Sequence, residues 1–215
     1  MFQGLIIEGI SGSGKTSVME KMLVHTRMRQ STALSRIVLT EHHTQRVLEL
    51  KEQQGLLQTR DHIDLLDGIT TFLEGMQQKV VSRGWSPPIL DDAGLFFVLE
   101  RFHLTHVFRF PYMQWHQVQS IDQRLLHLGA QHFLLTVNAA VLEERIFTRA
   151  SACWLNYLKR YGNSPSEIID AYMQRQQQVI ELSHMSCLPL IQLNTSNLTI
   201  EEIVEALFQQ LSPMV

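Results

Sequence analysis

The stretch Gly4-Leu5-Ile6-Ile7-Glu8-Gly9-Ile10-Ser11-Gly12-Ser13-Gly14-Lys15-Thr16 decides the fold. Its first five residues make a compact, mostly apolar run suited to a strand covered on both faces. The next eight, Gly9 through Thr16, fit GxxxxGK[ST] and run directly into a helix predicted over Lys15–Met28. Glycines in such a turn let successive backbone N–H groups face one anion, and the positive end of the following helix dipole adds to the attraction. A lysine at 15 then reaches the outer phosphates of a nucleotide, and a threonine hydroxyl at 16 is placed to ligate Mg²⁺. No GxGxxG register with an acidic residue about twenty positions on accompanies it, so a dinucleotide site is not expected.

Outward from this loop, short apolar runs alternate with amphipathic stretches, the order expected of a parallel sheet covered by helices. Strands are predicted at Gly4–Glu8, Arg36–Thr40, Leu95–Glu100, His132–Val137 and Leu188–Leu193. Helices are predicted at Lys15–Met28, His43–Gln54, Arg60–Ser82, Met113–Leu128, Ala139–Arg149, Pro165–His184 and Thr199–Leu211. Ser164-Pro165 followed by Glu167, and Thr199 followed by Glu201-Glu202, are helix-start signals. The clear break is Arg83-Gly84-Trp85-Ser86-Pro87-Pro88, continuing through Asp91-Asp92-Ala93-Gly94 into the third strand, and it serves as a connection rather than a domain linker.

The 215 residues suit one domain, 1–215, and 45% hydrophobic content is ample for its core. Lysine and arginine number 18 against 21 acidic residues, a net charge of −3, which excludes a disordered tail and a basic nucleic-acid wrapper. Cys153 and Cys187 are too few for a disulfide scaffold, so a reducing cytoplasm is the expected home. Leu5-Ile6-Ile7 is too short for a secretory leader, and no run approaches the ~20 apolar residues that span a bilayer. His42-His43 and the pair His103/His106 lack a third ligand at matching spacing and are not taken as a metal site.

Glu8-Gly9-Ile10-Ser11-Gly12-Ser13-Gly14-Lys15-Thr16, with Glu100-Arg101-Phe102 after the third strand, resembles the thymidylate kinase and deoxynucleoside kinase group of P-loop proteins. The resemblance extends over most of the chain. It implies a three-layer α/β fold with a five-stranded parallel sheet, a phosphate loop at 9–16, an acceptor region at about 41–94 and a helical lid at about 145–162. Glu143-Glu144-Arg145-Ile146 with Arg149 is similar to the family's helix leading into the lid, and Arg145 and Arg149 share one helical face. Asn194-Thr195-Ser196 after the last strand is similar to the loop that cups adenine.

The expectation is therefore an ATP-dependent, Mg²⁺-requiring kinase. Gly9, Ser11, Gly12, Ser13, Gly14, Lys15, Thr16, Ser17, Asn194 and Thr195 would bind the nucleotide, and Thr16 and Glu100 would hold the metal. Lys15, Glu41, Glu100, Arg101, Arg145 and Arg149 would carry the catalysis. The arginine that holds an acceptor phosphate in thymidylate kinases is missing from Thr40-Glu41-His42, and Arg60–Ser82 has none beyond its first residue. These departures favour a hydroxyl acceptor with Glu41 as base, although the resemblance itself points to a nucleoside or nucleotide. Phe102 and Phe72 are the aromatics guessed to line the acceptor pocket, and Trp154 and Tyr157 lie in the lid region. A sugar, cofactor precursor or antibiotic acceptor, and a nucleotide-binding regulatory module without transfer, are the alternatives. The partner is a small-molecule acceptor, with no nucleic acid or membrane and with room for a homodimer.

Overall fold

Strand β1 (Phe2–Glu8) lies at the centre of a five-stranded sheet with β2 (Ser35–Leu39), β3 (Leu95–Glu100), β4 (Ala130–Thr136) and β5 (Leu190–Asn194) in the order β2-β3-β1-β4-β5. Every neighbouring pair is parallel. The computed structural model describes residues 2–25, 35–82, 94–148 and 151–211. Ten helices occur among them: α1 (Lys15–Val24), α2 (Glu41–Thr44), α3 (Glu49–Gln53), α4 (Thr59–Ser82), α5 (His103–Arg109), α6 (Trp115–His127), α7 (Ala139–Phe147), α8 (Ala152–Leu158), α9 (Pro165–Met185) and α10 (Ile200–Gln210). The anticipated α/β fold with a five-stranded parallel sheet is the one observed.

Alternation along the inner strands fills two helical layers. Leu5, Ile7, Phe96, Val98, Phe133 and Leu135 meet α1 and α10 on one face, against Val18, Met22, Val204 and Leu207. Ile6, Phe97 and Leu99 meet α4 and α6 on the other, against Leu66, Leu73, Val118 and Leu125. Full burial of each such side chain is worth roughly 1.5–3 kcal/mol. A third cluster, including Ile10, Leu142, Ile146, Leu158, Ile169 and Tyr172, packs α7, α8 and α9 onto the loop after β1. No helix among the described residues is long and apolar enough to cross a membrane.

The two outer strands correct the expectation of burial on both faces. β2 and β5 keep exposed or half-buried residues along most of their length, because each has one neighbour and a partial helical cover. The helix predicted at His43–Gln54 is instead α2, a 3₁₀ turn at Arg46–Leu48, and α3. Gln45, at φ −149°, breaks it. Both start signals act as anticipated: Ser164 Oγ accepts the Glu167 N–H at 3.3 Å, and Thr199 forms a reciprocal box with Glu202. The C-terminal part of the first predicted helix, beyond His25, lies outside the described residues.

Register carries function here. Ile7 pairs with Glu100 on one side and Phe133 on the other, so Glu8, Glu100 and the loop after β1 emerge at one carboxyl edge, where open α/β sheets present ligands. Gly4 is required by packing beneath that edge, since a Cβ there would lie 2.0 Å from the Phe97 ring. Gly4→Ala is expected to cost about 1–3 kcal/mol in chemical denaturation. Phe97→Leu should recover part of this in the double variant, and additive losses would show that the clash is relieved elsewhere.

Candidate active site

The loop between β1 and α1 turns at glycines with φ of 138° (Gly9), 86° (Gly12) and 97° (Gly14). At Gly9 a Cβ would press within 2.4 Å of the Leu135 carbonyl, whereas at Gly14 nothing lies within 4 Å and the space before the helix stays open. Ser11, Gly12, Gly14, Lys15, Thr16 and Ser17 line a cleft of about 730 Å³. Gly9 and Ser13 do not line it; Ser13 is buried, its hydroxyl without a partner and its carbonyl accepting from Thr195 Oγ at 3.1 Å.

Glu100, at the end of β3, organises the cleft floor. Its Oε1 accepts the Thr16 hydroxyl at 3.1 Å and its Oε2 accepts the Glu41 backbone N–H at 3.2 Å. A hydroxyl and a carboxylate side by side are hard oxygen donors that fit Mg²⁺. Next to them, Arg101 donates from Nη2 to Ser11 Oγ at 3.1 Å. Its Nε lies 2.7 Å from Glu41 Oε2 with the N–H off line, a charge contact rather than a hydrogen bond. Arg101 also takes a left-handed φ of 54°, rare outside glycine, and its own N–H donates to the Ile7 carbonyl at 3.0 Å. The tight β1–β3 junction thus holds a strained residue where the arginine side chain is wanted.

Lys15 is 4% exposed and its ammonium donates to the Ile10 carbonyl at 2.8 Å. Burial, with the Arg101 charge beside it, pushes its pKa down to about 7. Glu8, directly below the loop, is pushed upward by complete burial, against hydrogen bonds from Thr105.

The remaining sequence-derived residues divide. Arg145 reaches the back of the loop: Nη1 donates to the Gly12 carbonyl at 3.2 Å and to Thr195 Oγ at 2.9 Å, and Nη2 to the Thr195 carbonyl at 2.8 Å. It does not line the cleft. Thr195 is buried and ties the loop to β4 through the Thr136 carbonyl, while Asn194 is exposed and bonded to Asn138. Arg149 lies outside the described residues. Phe102 is buried in the core and Phe72 is exposed and does not line the cleft, whose aromatic lining includes Phe108 and Trp154 instead.

Sequence reading named Tyr157 but missed Arg160, Tyr161 and Arg175, which line the cleft with it. Arg175 stacks over Tyr161 at 4.5 Å, Arg160 over Tyr157 at 5.4 Å, and the two tyrosine hydroxyls meet at 2.8 Å. Burial raises the Tyr157 phenol to about 12, helped by Tyr161. The i,i+4 spacing of Tyr157 and Tyr161 was visible, but it is the spacing of ordinary packing as well. Elsewhere in the lining Arg46 pairs with Glu49 at 2.6 Å and Arg109 with Glu52 at 3.0 Å.

No family model matches the sequence, and no curated protein matches it. Solved structures do share the fold. The chain is similar to the Bacillus subtilis YorR protein in complex with phosphorylated GDP, at 12% identity and TM-score 0.57 over 96% of this chain and 94% of that one. It is also similar to an unliganded sugar kinase from Janibacter sp. HTCC2649, at 12% identity and TM-score 0.53 over 99% and 96%.

Lys15 makes the phosphate reading measurable. At pH 8 the free ammonium is mostly deprotonated, and contact with a polyphosphate restores its charge, so binding takes up to about one proton. Affinity is highest below pH 7 and falls as pH rises through the free value. Calorimetry of inorganic triphosphate at pH 8 in two buffers of different ionisation enthalpy should show this uptake in the native chain and not in Lys15→Met; equal uptake in both would remove Lys15 from the site.

Proposed function

We propose that the chain is an ATP- and Mg²⁺-dependent kinase that phosphorylates a hydroxyl of a small neutral acceptor, with a nucleoside as the favoured class. The carrying observation is the cluster Thr16–Glu100–Glu41–Arg101 beside the glycine loop. Together with Lys15 it supports a base, a metal-holding pair and two cations within one cleft.

Each part has a stated role. Lys15 and the loop N–H groups face the phosphates, and Thr16 with Glu100 would hold Mg²⁺. When bound, Mg²⁺ neutralises charge on the phosphate oxygens. Glu41 takes the acceptor's hydroxyl proton, and Arg101 both fixes that carboxylate and adds positive charge near the transferring group. Arg160 and Arg175, held over tyrosine faces, supply the lid-side charge that the sequence assigned to Arg145 and Arg149.

Acceptor charge follows from pairing. Arg46 and Arg109 are each engaged by a glutamate, and Gln45, Glu49, Glu52 and Gln53 share their wall. A monophosphate there would have to displace glutamates from both arginines; a hydroxyl-rich neutral molecule finds amides and carboxylates ready to bond. The neighbour holding phosphorylated GDP supports nucleotide chemistry on this fold. A sugar acceptor is the second reading, favoured by the other neighbour and by the same hydroxyl-binding wall.

Labelled ATP with panels of nucleosides, nucleoside monophosphates and sugars tests the assignment. Neutral acceptors should be turned over at least about tenfold faster than monophosphates, and the reverse order would overturn it. Lys15→Ala should lower kcat by about 10²–10³ with the fold retained. Glu41→Gln should lower transfer by about 10² while ATP affinity stays within about twofold, and unchanged turnover would remove Glu41 from the reaction.

A further inference from the structure

The helix α2, which bears Glu41, is four residues long, far too short to hold itself together by its own hydrogen bonds. Its anchors come from outside. The Glu41 N–H donates to the Glu100 carboxylate, and the Thr44 hydroxyl proton is shared between the carbonyls of Glu100 and Thr40. The third anchor is the fully buried His106, whose Nε2 lies 2.8 Å from the Thr44 carbonyl. Behind it, His106 Nδ1 lies 2.8 Å from His62 Nδ1, and His62 Nε2 lies 2.9 Å from the Tyr112 hydroxyl.

Only one arrangement of hydrogens satisfies this chain. A carbonyl only accepts, so His106 carries its proton on Nε2 and presents a bare Nδ1. His62 must then donate from Nδ1, which leaves its Nε2 bare to accept the Tyr112 O–H. Every link is directional, and both imidazoles are neutral. Burial supports this, pushing His106 down to about 3 and His62 to about 4. The surroundings are apolar, with the Phe110 ring 4.4 Å from His62. A leucine pair would fill such a space without polar atoms to satisfy, so the two imidazoles are explained by where their bonds end rather than by volume.

We propose that His106, oriented by His62 and Tyr112, is a positioning residue that fixes Glu41 and Glu100 through the Thr44 carbonyl. The role rests on the kinase reading of Glu41 and Glu100, but the geometry can be tested apart from it. Three elements converge on the base in this way: the start of α4, helix α5 and the turn before α6. A displacement of about 1 Å in a reacting group can cost about 10² in rate, which sets the scale.

The experiment compares His106→Leu, which removes the donor, with His106→Gln, whose amide can place an N–H where Nε2 stood. With ATP and the best acceptor, His106→Leu should lower kcat about 10–100-fold with KM for ATP within about twofold, and His106→Gln should recover most of the loss. Long-range ¹⁵N–¹H correlation on the native chain should show His106 as the Nε2–H tautomer and His62 as the Nδ1–H tautomer. Hydrogen exchange at the Glu41 amide should quicken at least about tenfold in His106→Leu and return toward native in His106→Gln. The opposite tautomer on His106, native exchange at Glu41 in the leucine variant, or native kcat in it would each overturn the proposal. Should His106→Leu fail to fold, Tyr112→Phe replaces it: His62 keeps its Nδ1–H, which the bare His106 Nδ1 still requires, but its Nε2 loses a donor, so the Nε2 ¹⁵N resonance must shift toward that of an unbonded imidazole nitrogen, and an unshifted Nε2 counts against the relay. If the native chain phosphorylates nothing, the kinase reading fails, while tautomers and amide exchange still decide the relay.

Discussion

The site depends on a carboxylate that does not line the cleft. Glu8 ends the central strand fully buried, and one of its oxygens accepts the Phe102 N–H at 2.9 Å and the Thr105 N–H at 3.3 Å, while the other takes the Thr105 hydroxyl at 2.5 Å. These N–H groups belong to the first turn of α5, where a helix leaves donors without internal partners. Glu8 therefore caps α5 across the sheet and clamps the β3–α5 turn against the start of the glycine loop. Between the clamped residues sits Arg101, whose left-handed backbone costs of order 1–2 kcal/mol. The clamp offsets that cost, and the guanidinium is delivered over Ser11 and Glu41.

That clamp explains which parts of the molecule could be read from the chain. The β1–loop–α1 unit was legible because glycine positions, a buried strand and a lysine at a helix start are local requirements, all written within thirteen residues. Glu100 and Arg101 were legible as the end of an apolar strand. Glu8 was visible only as a marker of resemblance; its capping role needs Phe102 and Thr105, which lie more than ninety positions on. The break at Gln45 was hidden for a related reason. Thr44 bonds back to the Thr40 carbonyl and forward to Glu100, a tertiary contact that ends α2 where the local sequence permits a helix to continue.

Arg145 illustrates the limit from the other side. It lies on a helix as expected, but its guanidinium meets Gly12 and Thr195, so the charge braces the rear of the loop. Periodicity specifies which residues share a face and says nothing of what the face meets. Arg160 and Arg175, which line the cleft, come from segments with no phosphate-binding signature: Arg160 follows α8, and Arg175 lies in the middle of α9 beside glutamines. Both are poised on aromatic faces, which hold a guanidinium without neutralising it. Arg46 and Arg109, which line the same cleft, are instead paired with glutamates.

His103 and His106, three residues apart on α5, serve separate networks. His106 faces Thr44, which is bonded to the end of β3. His103 points the other way, its Nε2 at 2.9 Å from Asp122 of α6, whose carboxylate also accepts the Ser186 hydroxyl at 2.5 Å and the Cys187 N–H at 2.8 Å. Burial alone would raise the Asp122 pKa, yet the bonds from His103, Cys187 and Ser186 hold it far below the usual carboxylate range. His132 completes this group by donating to Ser186 Oγ at 3.1 Å, since the serine proton is already committed to Asp122. Two nitrogens and one oxygen of His103, Asp122 and His132 come within 4.8 Å of one another; the Nε2 atoms of both histidines are engaged by Asp122 and Ser186, whereas their Nδ1 atoms are buried without a hydrogen-bond partner. The cluster works as a staple joining α5, α6, β4 and the turn before β5. One short helix is thus fastened on two sides by neutral or paired histidines, and the Glu8 clamp at its first turn has a rigid body to hold.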